Sequence, residues 1–347
     1  MGRRDNQISR SILSAIFHDQ EHDSERTILG RILAFFSFFR IILARYKDSL
    51  FKRLRNGEWE IDEDEYRESF RSNGRDEKLK AVGDLGYSGS TFFTTPNSKF
   101  LIKSLPRPSE YRYFAHDLLL PYSEHMTRLS TSLLVRITDF LYSPYLTIGS
   151  IFGFAPACHI IMENILYGKD SSTAPDEWET YDLKPISYFY PERDIAGGYL
   201  ASESTKERLV DKFEDKLRVP ESARVSLLQT LEQDTKLLSS CNAVDYSLFL
   251  VRYPASSASS VSTINARSSP WRKGIESTDG KWIYRAVVLD FFWAKHRTQA
   301  KLMTGLIKSF NFFARKGPMS ITTDATEYRQ RFLRMVEGLF EEGSQQV

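Results

Sequence analysis

The sequence predicts an α+β fold in two lobes. Short β-rich runs dominate residues 91–166, with one helical segment among them, and the second half is mainly helical in period. A chain of 347 residues with 41% hydrophobic composition is long enough to bury a substantial core. These observations favour a strand-rich lobe followed by a more helical one.

The first residues predict a polar tail to about residue 26, then an amphipathic helix over 27–56 that ends at Asn56-Gly57. The most apolar stretch, 28–46, contains three arginines, which argues against a membrane-spanning helix. Packing on the protein core, contact with a membrane and a homodimer interface remain open as roles for this helix.

The central elements follow from period and turn signals. Asp62 is a candidate N-cap for a helix over 61–70, and a Pro-Asn-Ser turn predicts a hairpin between 91–95 and 100–105. The remaining predictions are a helix over 109–129 and strands within 132–143, 145–154 and 158–166.

The last third contains the strongest helical pattern, at 221–242. Residues 254–280 are rich in serine and poor in large aliphatic side chains, which predicts a flexible surface insertion. A strand over 282–292 and a closing helix over 326–340 complete the plan.

Composition narrows the class of protein. The net charge of +2 disfavours a polycation, so any attraction to nucleic acid or anionic lipid must come from a local patch. Two cysteines, Cys158 and Cys241, argue against a disulfide framework and favour a reduced, cytoplasmic setting. The six histidines lack metal-ligand spacing, and the first residues, which have no apolar run before a cleavage site, argue against a secretory signal.

A glycine turn and a lysine form the first candidate site. Gly86, Ser88, Gly89 and Ser90 lie between two β-rich runs, where backbone N–H groups can approach phosphate oxygens. An ordinary turn is the alternative. Lys103 lies on an apolar strand and needs a partner, for which Glu110 is the first candidate and Glu124 the second.

Two aspartates are the next candidates. Asp245 follows the strongest helix, either as a turn residue or as a carboxylate that orients a reacting hydroxyl. Asp290 follows an apolar run, where burial requires a partner, either a loop donor or Mg²⁺.

A basic stretch follows Asp290, with no acidic residue before Asp324. A solvated surface and a site for an anionic substrate are both consistent with it. Phe291, Phe292 and Trp293 are predicted to be core side chains. The cations are Lys295, Arg297, Lys301, Lys308, Arg315 and Lys316.

The order of these segments resembles the phosphatidylinositol phosphate kinase catalytic domain from about residue 46 to residue 340. The segments that carry the resemblance are short but ordered and spaced as in the family. They are FKRLRNGEWEIDEDEYRESF, GYSGSTFF, FLIKSL, IIMENIL, YDLK, VDYSLFL, AVVLDFF and YRQRFLRMV.

The resemblance implies a two-lobed lipid-kinase fold distantly similar to protein kinases. An N-lobe with an antiparallel sheet would span 46–163, and a smaller mixed C-lobe 164–347, after an N-terminal segment over 1–45. ATP would lie between the lobes under the 86–89 turn. A specificity loop over 291–323 would meet the lipid.

The resemblance also assigns roles to individual residues. Lys103 would contact the ATP phosphates, Asp245 would be the catalytic aspartate, and Asp290 would bind Mg²⁺. Lys184 of YDLK would contact ATP or the headgroup. The positions assigned to the adenine are Met162 and Asn164, and the discriminating position in the loop is Met303.

Two departures from the family pattern affect function. Pro185 replaces the glycine after YDLK, and Ala300-Lys301-Leu302-Met303 lacks one of the paired lysines. An active kinase at the cytosolic face of a membrane, converting the 4-phosphate of phosphatidylinositol to the 4,5-bisphosphate, is the leading hypothesis. A catalytically weak regulatory or binding module is the alternative; a protein kinase and a nucleic-acid-binding protein are disfavoured.

Overall fold

The structure is a computed structural model, and it confirms the α+β class. The described residues are 2–17, 35, 36, 38, 39, 41–71, 79–82, 90–145, 147–152, 154–185, 213–260, 268–294 and 324–341. The chain forms two compact units. Unit 1 comprises Met1–Tyr111, Val135–Gly168 and Ser262–Arg267, and unit 2 comprises Arg112–Leu134, Lys169–Val261 and Ser268–Val347.

The described strands belong to antiparallel sheets. In chain order they are β1 Ala44–Arg45, β2 Lys80–Val82, β3 Phe92–Thr94, β4 Phe100–Ser104, β5 Ile137–Tyr142, β6 Cys158–Glu163, β7 Glu179–Leu183, β8 Ala243–Val244, β9 Ser247–Pro254, β10 Ile275–Glu276, β11 Trp282–Leu289 and β12 Trp293–Ala294. Unit 1 contains a six-stranded sheet in the order β1-β5-β6-β4-β3-β2. Unit 2 contains a four-stranded sheet, β10-β11-β9-β7, and the pair β12-β8.

The described α-helices vary widely in length. They are α1 Arg3–Phe17, α2 Asp48–Arg53, α3 Glu63–Glu68, α4 Pro108–Tyr113, α5 Leu119–Arg128, α6 Ile148–Ile151, α7 Glu221–Ser240, α8 Pro270–Lys273 and α9 Ala325–Glu337. π-helical turns follow α2 at Leu54–Glu58 and α4 at Phe114–Leu118. Within the described part of the chain, no helix is long and apolar enough to cross a bilayer.

Several sequence predictions are confirmed between residues 61 and 129. The Asp62 side chain accepts hydrogen bonds from the backbone N–H groups of Asp64 and Glu65 at the start of α3. Strands β3 and β4 form the predicted hairpin, with Ser98 in the left-handed region of its turn. The predicted 109–129 helix is present, interrupted by the second π turn.

The N-terminal predictions are wrong. Part of the expected polar tail is helix α1, whose Ile8, Ile12 and Ile16 are buried at helical spacing. The expected helix over 27–56 is broken by β1, where Ala44 and Arg45 pair with β5. The Arg45 guanidinium also lies 2.6 Å from the Asp139 carboxylate, so ion pairing and strand pairing outweigh helical periodicity there.

The strand predicted within 145–154 is also wrong. Thr147 and Ser150 form a reciprocal capping box that starts the short helix α6. A side chain at Gly149 would overlap the Phe38 backbone, so the 35–39 segment lies directly against this helix. Turn chemistry outweighed the β-like composition of this run.

In unit 2, the predicted flexible insertion is partly ordered core. The Trp271 side chain is fully buried in α8, and its Nε1 donates to the Ala223 carbonyl at 2.9 Å. The Arg272 guanidinium donates to the carbonyls of Ser132 and Leu134. The serine-rich composition therefore gave no indication that Trp271 and Arg272 anchor this segment in unit 2.

A buried polar network joins three segments of unit 2. The Asp234 carboxylate of α7 accepts from the Ser132 hydroxyl at 2.7 Å and from the Leu133 N–H at 2.6 Å. The Nε2 atom of His125 in α5 lies 2.6 Å from the same carboxylate. The serine hydroxyl bonds to the aspartate and not to the histidine, so the network ties elements together and does not resemble a nucleophilic triad.

Candidate active site

Three strand ends meet at one end of the four-stranded sheet in unit 2. Strand β9 pairs with β7 through Leu248 and Leu183, and with β11 through Ser247 and Leu289. Because these strands are antiparallel, the start of β9 lies beside the ends of both neighbours. Lys184 directly follows β7, Asp290 directly follows β11, and Asp245 lies two positions before the start of β9.

The lysine and one aspartate form an ion pair. The Lys184 Nζ donates to the Asp245 Oδ1 at 3.0 Å, with 17% of the lysine side chain and 36% of the aspartate side chain exposed. Burial acts to lower the pKa of Lys184, but the charges of Asp245, Asp290 and Asp182 outweigh it and raise the pKa above its ordinary value. The structure thus groups the predicted Lys184, Asp245 and Asp290.

Both aspartates adopt left-handed backbone conformations, with φ of 65° at Asp245 and 63° at Asp290. A non-glycine residue held there is uncommon and costs conformational energy. Asp245 connects β8 to β9, and Asp290 connects β11 to β12, while β8 and β12 pair with each other. Because β9 pairs with β11 and β8 pairs with β12, the two connections between these strands lie in one region, and each connection contains one of the aspartates.

Aromatic side chains anchor the residues that follow each aspartate. The Tyr246 ring packs edge-on against Tyr328 and Phe332 of α9, and its carbonyl accepts a hydrogen bond from the Tyr328 hydroxyl at 2.5 Å. Phe291 stacks on Tyr122, and Phe292 packs against Phe114. Both phenylalanines are buried, which confirms their prediction as core residues, whereas Trp293, predicted with them, is half-buried.

Sequence reasoning missed Asp182. Its charge acts on Lys184, and the two residues are two positions apart, which places alternate side chains on one face of an extended chain. The alternating sequence YDLK at the end of a strand was the signal. A third carboxylate explains why an amine at the edge of the core remains charged.

The donor set fits a nucleotide-bound Mg²⁺. This ion is commonly bound by one or two carboxylates together with substrate phosphates. Asp245 and Asp290 supply two carboxylates near one lysine, which is a suitable charge arrangement for a metal-bound polyphosphate. The described residues contain no group of three or more potential ligands that could hold a metal alone.

The predicted nucleotide-binding residues that the structure describes, other than Lys184, belong to unit 1. Lys103 is buried on β4, with its Nζ 5.6 Å from the centroid of the Phe92 ring. Ser90 is buried just before β3. The Glu110 carboxylate lies 3.1 Å from the Arg107 guanidinium. Its pairing with Lys103 stays a prediction.

The two residues predicted near adenine are at the end of β6. Met162 is buried between β4 and β5. The Asn164 side chain donates to the Ser98 carbonyl at 2.8 Å and accepts from the Leu166 N–H. Asn164 therefore stabilises a turn, and its role toward a nucleotide stays a prediction.

Other predicted residues cannot be placed. Gly86, Ser88 and Gly89 of the turn lie outside the described residues. The predicted lipid-contacting residues of the basic stretch also lie outside them: Lys295, Arg297, Lys301 and Met303. Pro185, the departure after YDLK, is described and buried.

Comparison with known proteins gives two matches. The family model described as phosphatidylinositol-4-phosphate 5-kinase matches residues 73–274, more than half of the chain, including Lys184 and Asp245 but not Asp290. A probable phosphatidylinositol phosphate kinase from Dictyostelium discoideum is 29% identical over 179 residues. That alignment covers 51% of this chain but only 23% of the relative. The chain belongs to the phosphatidylinositol-4-phosphate 5-kinase family.

Proposed function

We propose that the chain is an ATP- and Mg²⁺-dependent kinase that converts phosphatidylinositol 4-phosphate to the 4,5-bisphosphate at a membrane surface. The observation that carries the proposal is the grouping of Lys184, Asp245 and Asp290 at one sheet end. Family membership supports the same chemistry. Phosphoryl transfer depends mainly on positioning and charge, which these residues supply.

Each residue has a role in this proposal. The Asp245 carboxylate orients the attacking headgroup hydroxyl and accepts its proton as the new O–P bond forms. The bond between the γ-phosphorus and the β–γ bridging oxygen of ATP breaks in the same step, and ADP leaves. Lys184 balances the carboxylate charges and presents an ammonium to the transferring phosphate. Asp290 would hold Mg²⁺, which neutralises charge on the nucleotide phosphates when bound.

The proposed nucleotide contacts outside unit 2 come from the family resemblance. Lys103 would bind the ATP phosphates, the 86–90 turn would cover them, and Met162 would contact adenine. The buried position of Lys103 on a regular strand supports a fixed cation. The two-lobed kinase arrangement belongs to this proposal as well.

The basic stretch supports electrostatic attachment to an anionic leaflet. A basic residue near such a surface contributes about 1 kcal/mol, and salt screens this attraction. We expect Lys301→Glu to reduce vesicle binding and lipid turnover while ATP binding is retained, as measured by vesicle sedimentation and nucleotide titration. Lipid turnover equal to that of the parent chain would remove this stretch from the proposal.

The deciding experiment uses labelled ATP, Mg²⁺ and separate vesicles that carry the 3-, 4- or 5-monophosphate of phosphatidylinositol. We expect label in the 4-phosphate, and a loss of about 100-fold or more in Asp245→Asn, because general-base contributions are of that order. Asp176→Asn is the matched control, since Asp176 is exposed and precedes β7, whose opposite end leads to Lys184. Label in another isomer would correct the substrate; equal rates in the two variants would remove Asp245 from catalysis.

A regulatory or binding module is the second candidate, favoured by Pro185 next to Lys184. Proline lacks an N–H group, so this position offers no backbone donor to a phosphate. This candidate predicts ATP binding without label in any lipid. Pro185→Gly then tests the cause, because restored transfer would assign the defect to the missing donor.

A further inference from the structure

Unit 1 carries an exposed patch of aromatic and aliphatic side chains far in sequence from the basic stretch. Its large side chains are between 40% and 68% exposed, whereas most such groups in the described chain are buried. We define the aromatic patch as Phe35, Phe36, Phe38, Ile151, Phe152 and Phe154.

The two segments of the patch are in direct contact. The Phe38 backbone lies against Gly149 of α6, so closely that the glycine cannot carry a side chain. The Ala155 N–H donates to the Gly149 carbonyl at 3.1 Å, which draws the end of the second segment to the same place. The rings of Phe152 and Phe154 are 6.2 Å apart. The exposed rings therefore belong to one surface.

Charge distinguishes this surface from an ordinary apolar patch. Residues 27–47 contain no acidic residue, and neither do residues 140–162. The Arg4 Nε donates to the Phe154 carbonyl at 2.7 Å, which places a guanidinium beside the patch. An anionic surface would meet aromatic rings with a nearby guanidinium and no repelling carboxylate from these segments.

We propose that the aromatic patch inserts into the outer part of an anionic lipid leaflet and gives the chain a second, salt-resistant attachment to the membrane. Five half-exposed rings offer about 500 Å². A standard protein–protein interface needs about 800 Å² per partner. The area suits shallow insertion better than a stable dimer, which is the alternative outcome.

The inference rests on the proposed function, because a lipid substrate requires the chain to stay at a leaflet between encounters. Two attachments of different physical kind would respond differently to salt. Binding through the basic stretch weakens with screening, whereas burial of aromatic area is not screened and strengthens with salting-out ions.

The first test is vesicle sedimentation of the full chain without ATP, at low and high salt. The vesicles contain phosphatidylcholine with phosphatidylserine. We expect the double variant Phe152→Ser and Phe154→Ser to bind vesicles about 10-fold or more weakly at high salt, because it lacks the apolar area that the two rings would bury in the leaflet. Leu120→Ser is the control, since Leu120 is 50% exposed in unit 2. Equal high-salt binding by the parent chain and the double variant overturns the proposal.

A second measurement does not depend on the stability of the serine variant. Phe152→Trp keeps an aromatic ring, and brominated lipids quench tryptophan that enters the acyl region. We expect quenching beyond that of the parent chain. Of its five tryptophans, Trp59, Trp178 and Trp271 are buried, and Trp282 and Trp293 are half-buried. Quenching no greater than in the parent chain overturns insertion.

Sedimentation velocity distinguishes the alternative occupant. A dimeric parent chain that becomes monomeric in the double variant, with unchanged vesicle binding, would assign the aromatic patch to a second copy and overturn the proposal.

A water-soluble, short-chain phosphoinositide separates attachment to the membrane from catalysis. Insertion is supported if both chains phosphorylate the short-chain lipid equally and only the double variant phosphorylates lipid in vesicles more slowly. If neither chain phosphorylates any lipid, the proposed function fails, while the binding result still decides the inference.

Discussion

Lys184 is charged because of its neighbours, not because of access to water. Its ammonium loses hydration at the sheet end, yet Asp245, Asp290 and Asp182 together raise its pKa above the ordinary value. Sequence reasoning predicted the lysine and two of the carboxylates, but the register of β7, β9 and β11 was needed to bring them together. The sequence identified these side chains, but it did not show that the fold brings them together.

The first prediction concerns Lys184→Met, which removes the ammonium and keeps the length. We expect a loss of about 1–2 kcal/mol in the free energy of unfolding, because carboxylates lose their partner at a partly exposed site. Since the pKa of Lys184 is raised in the folded state, this contribution is complete below pH 10.5 and is lost as the pH rises through the folded pKa. Urea unfolding at neutral and alkaline pH measures it; a difference that grows with alkalinity would contradict the sign.

The second prediction concerns His159 on β6. It is fully buried, neither ring nitrogen has a hydrogen-bond partner among the described residues, and burial lowers its pKa to about 3. The unfolded chain therefore takes up a proton first on acidification, so stability falls as the pH falls from about 6.5 toward 3, by up to about 1.4 kcal/mol per pH unit. His159→Leu should flatten this dependence in urea titrations. His116→Leu, at an exposed position outside β6, is the matched control.

At the scale of elements, local chemistry decided the places where periodicity failed. Pro121 cannot donate to the carbonyl four residues earlier, and the π turn Phe114–Leu118 ends just before it, where a widened turn accommodates the missing bond. The helix was predictable from its period, but its π turn was not. In the same way, Trp271 is a core anchor within a serine-rich run, and only its contact with Ala223 reveals this.

The third prediction concerns the tie between α5 and α7. Asp234→Ala should cost about 3–5 kcal/mol, because it removes the acceptor of buried donors, whereas Ser132→Ala should cost about 1 kcal/mol. Chemical unfolding of both variants gives the comparison. Equal losses would mean that the Asp234 carboxylate contributes no more than one ordinary hydrogen bond.

At the scale of the whole molecule, neither unit is a continuous piece of chain. Residues 112–134 belong to unit 2 although unit 1 resumes at Val135. The sequence predicted a single division at 163/164 and did not anticipate this interleaving, because the contacts of Asp234 and Arg272 with residues 132–134 leave no periodic signal.

The fourth prediction follows from this interleaving. A fragment of residues 169–347 should not fold cooperatively, since the partners of Asp234 and Arg272 would be missing. Circular dichroism and thermal unfolding of the fragment test this. A sharp thermal transition with the signal of an ordered α+β domain would contradict it.

Interleaving also has a consequence during synthesis. The hydroxyl of Ser132 leaves the ribosome 102 residues ahead of the carboxylate that receives it. At about 5–20 residues per second, this interval lasts roughly 5–20 s. Throughout it, the apolar side of α5 lacks its contacts with α7, so the nascent chain exposes apolar surface. A chaperone that binds exposed apolar surface would protect the chain during this interval. Depletion of that chaperone should lower the soluble yield of this chain more than the yield of a protein whose domains are each a continuous piece of chain.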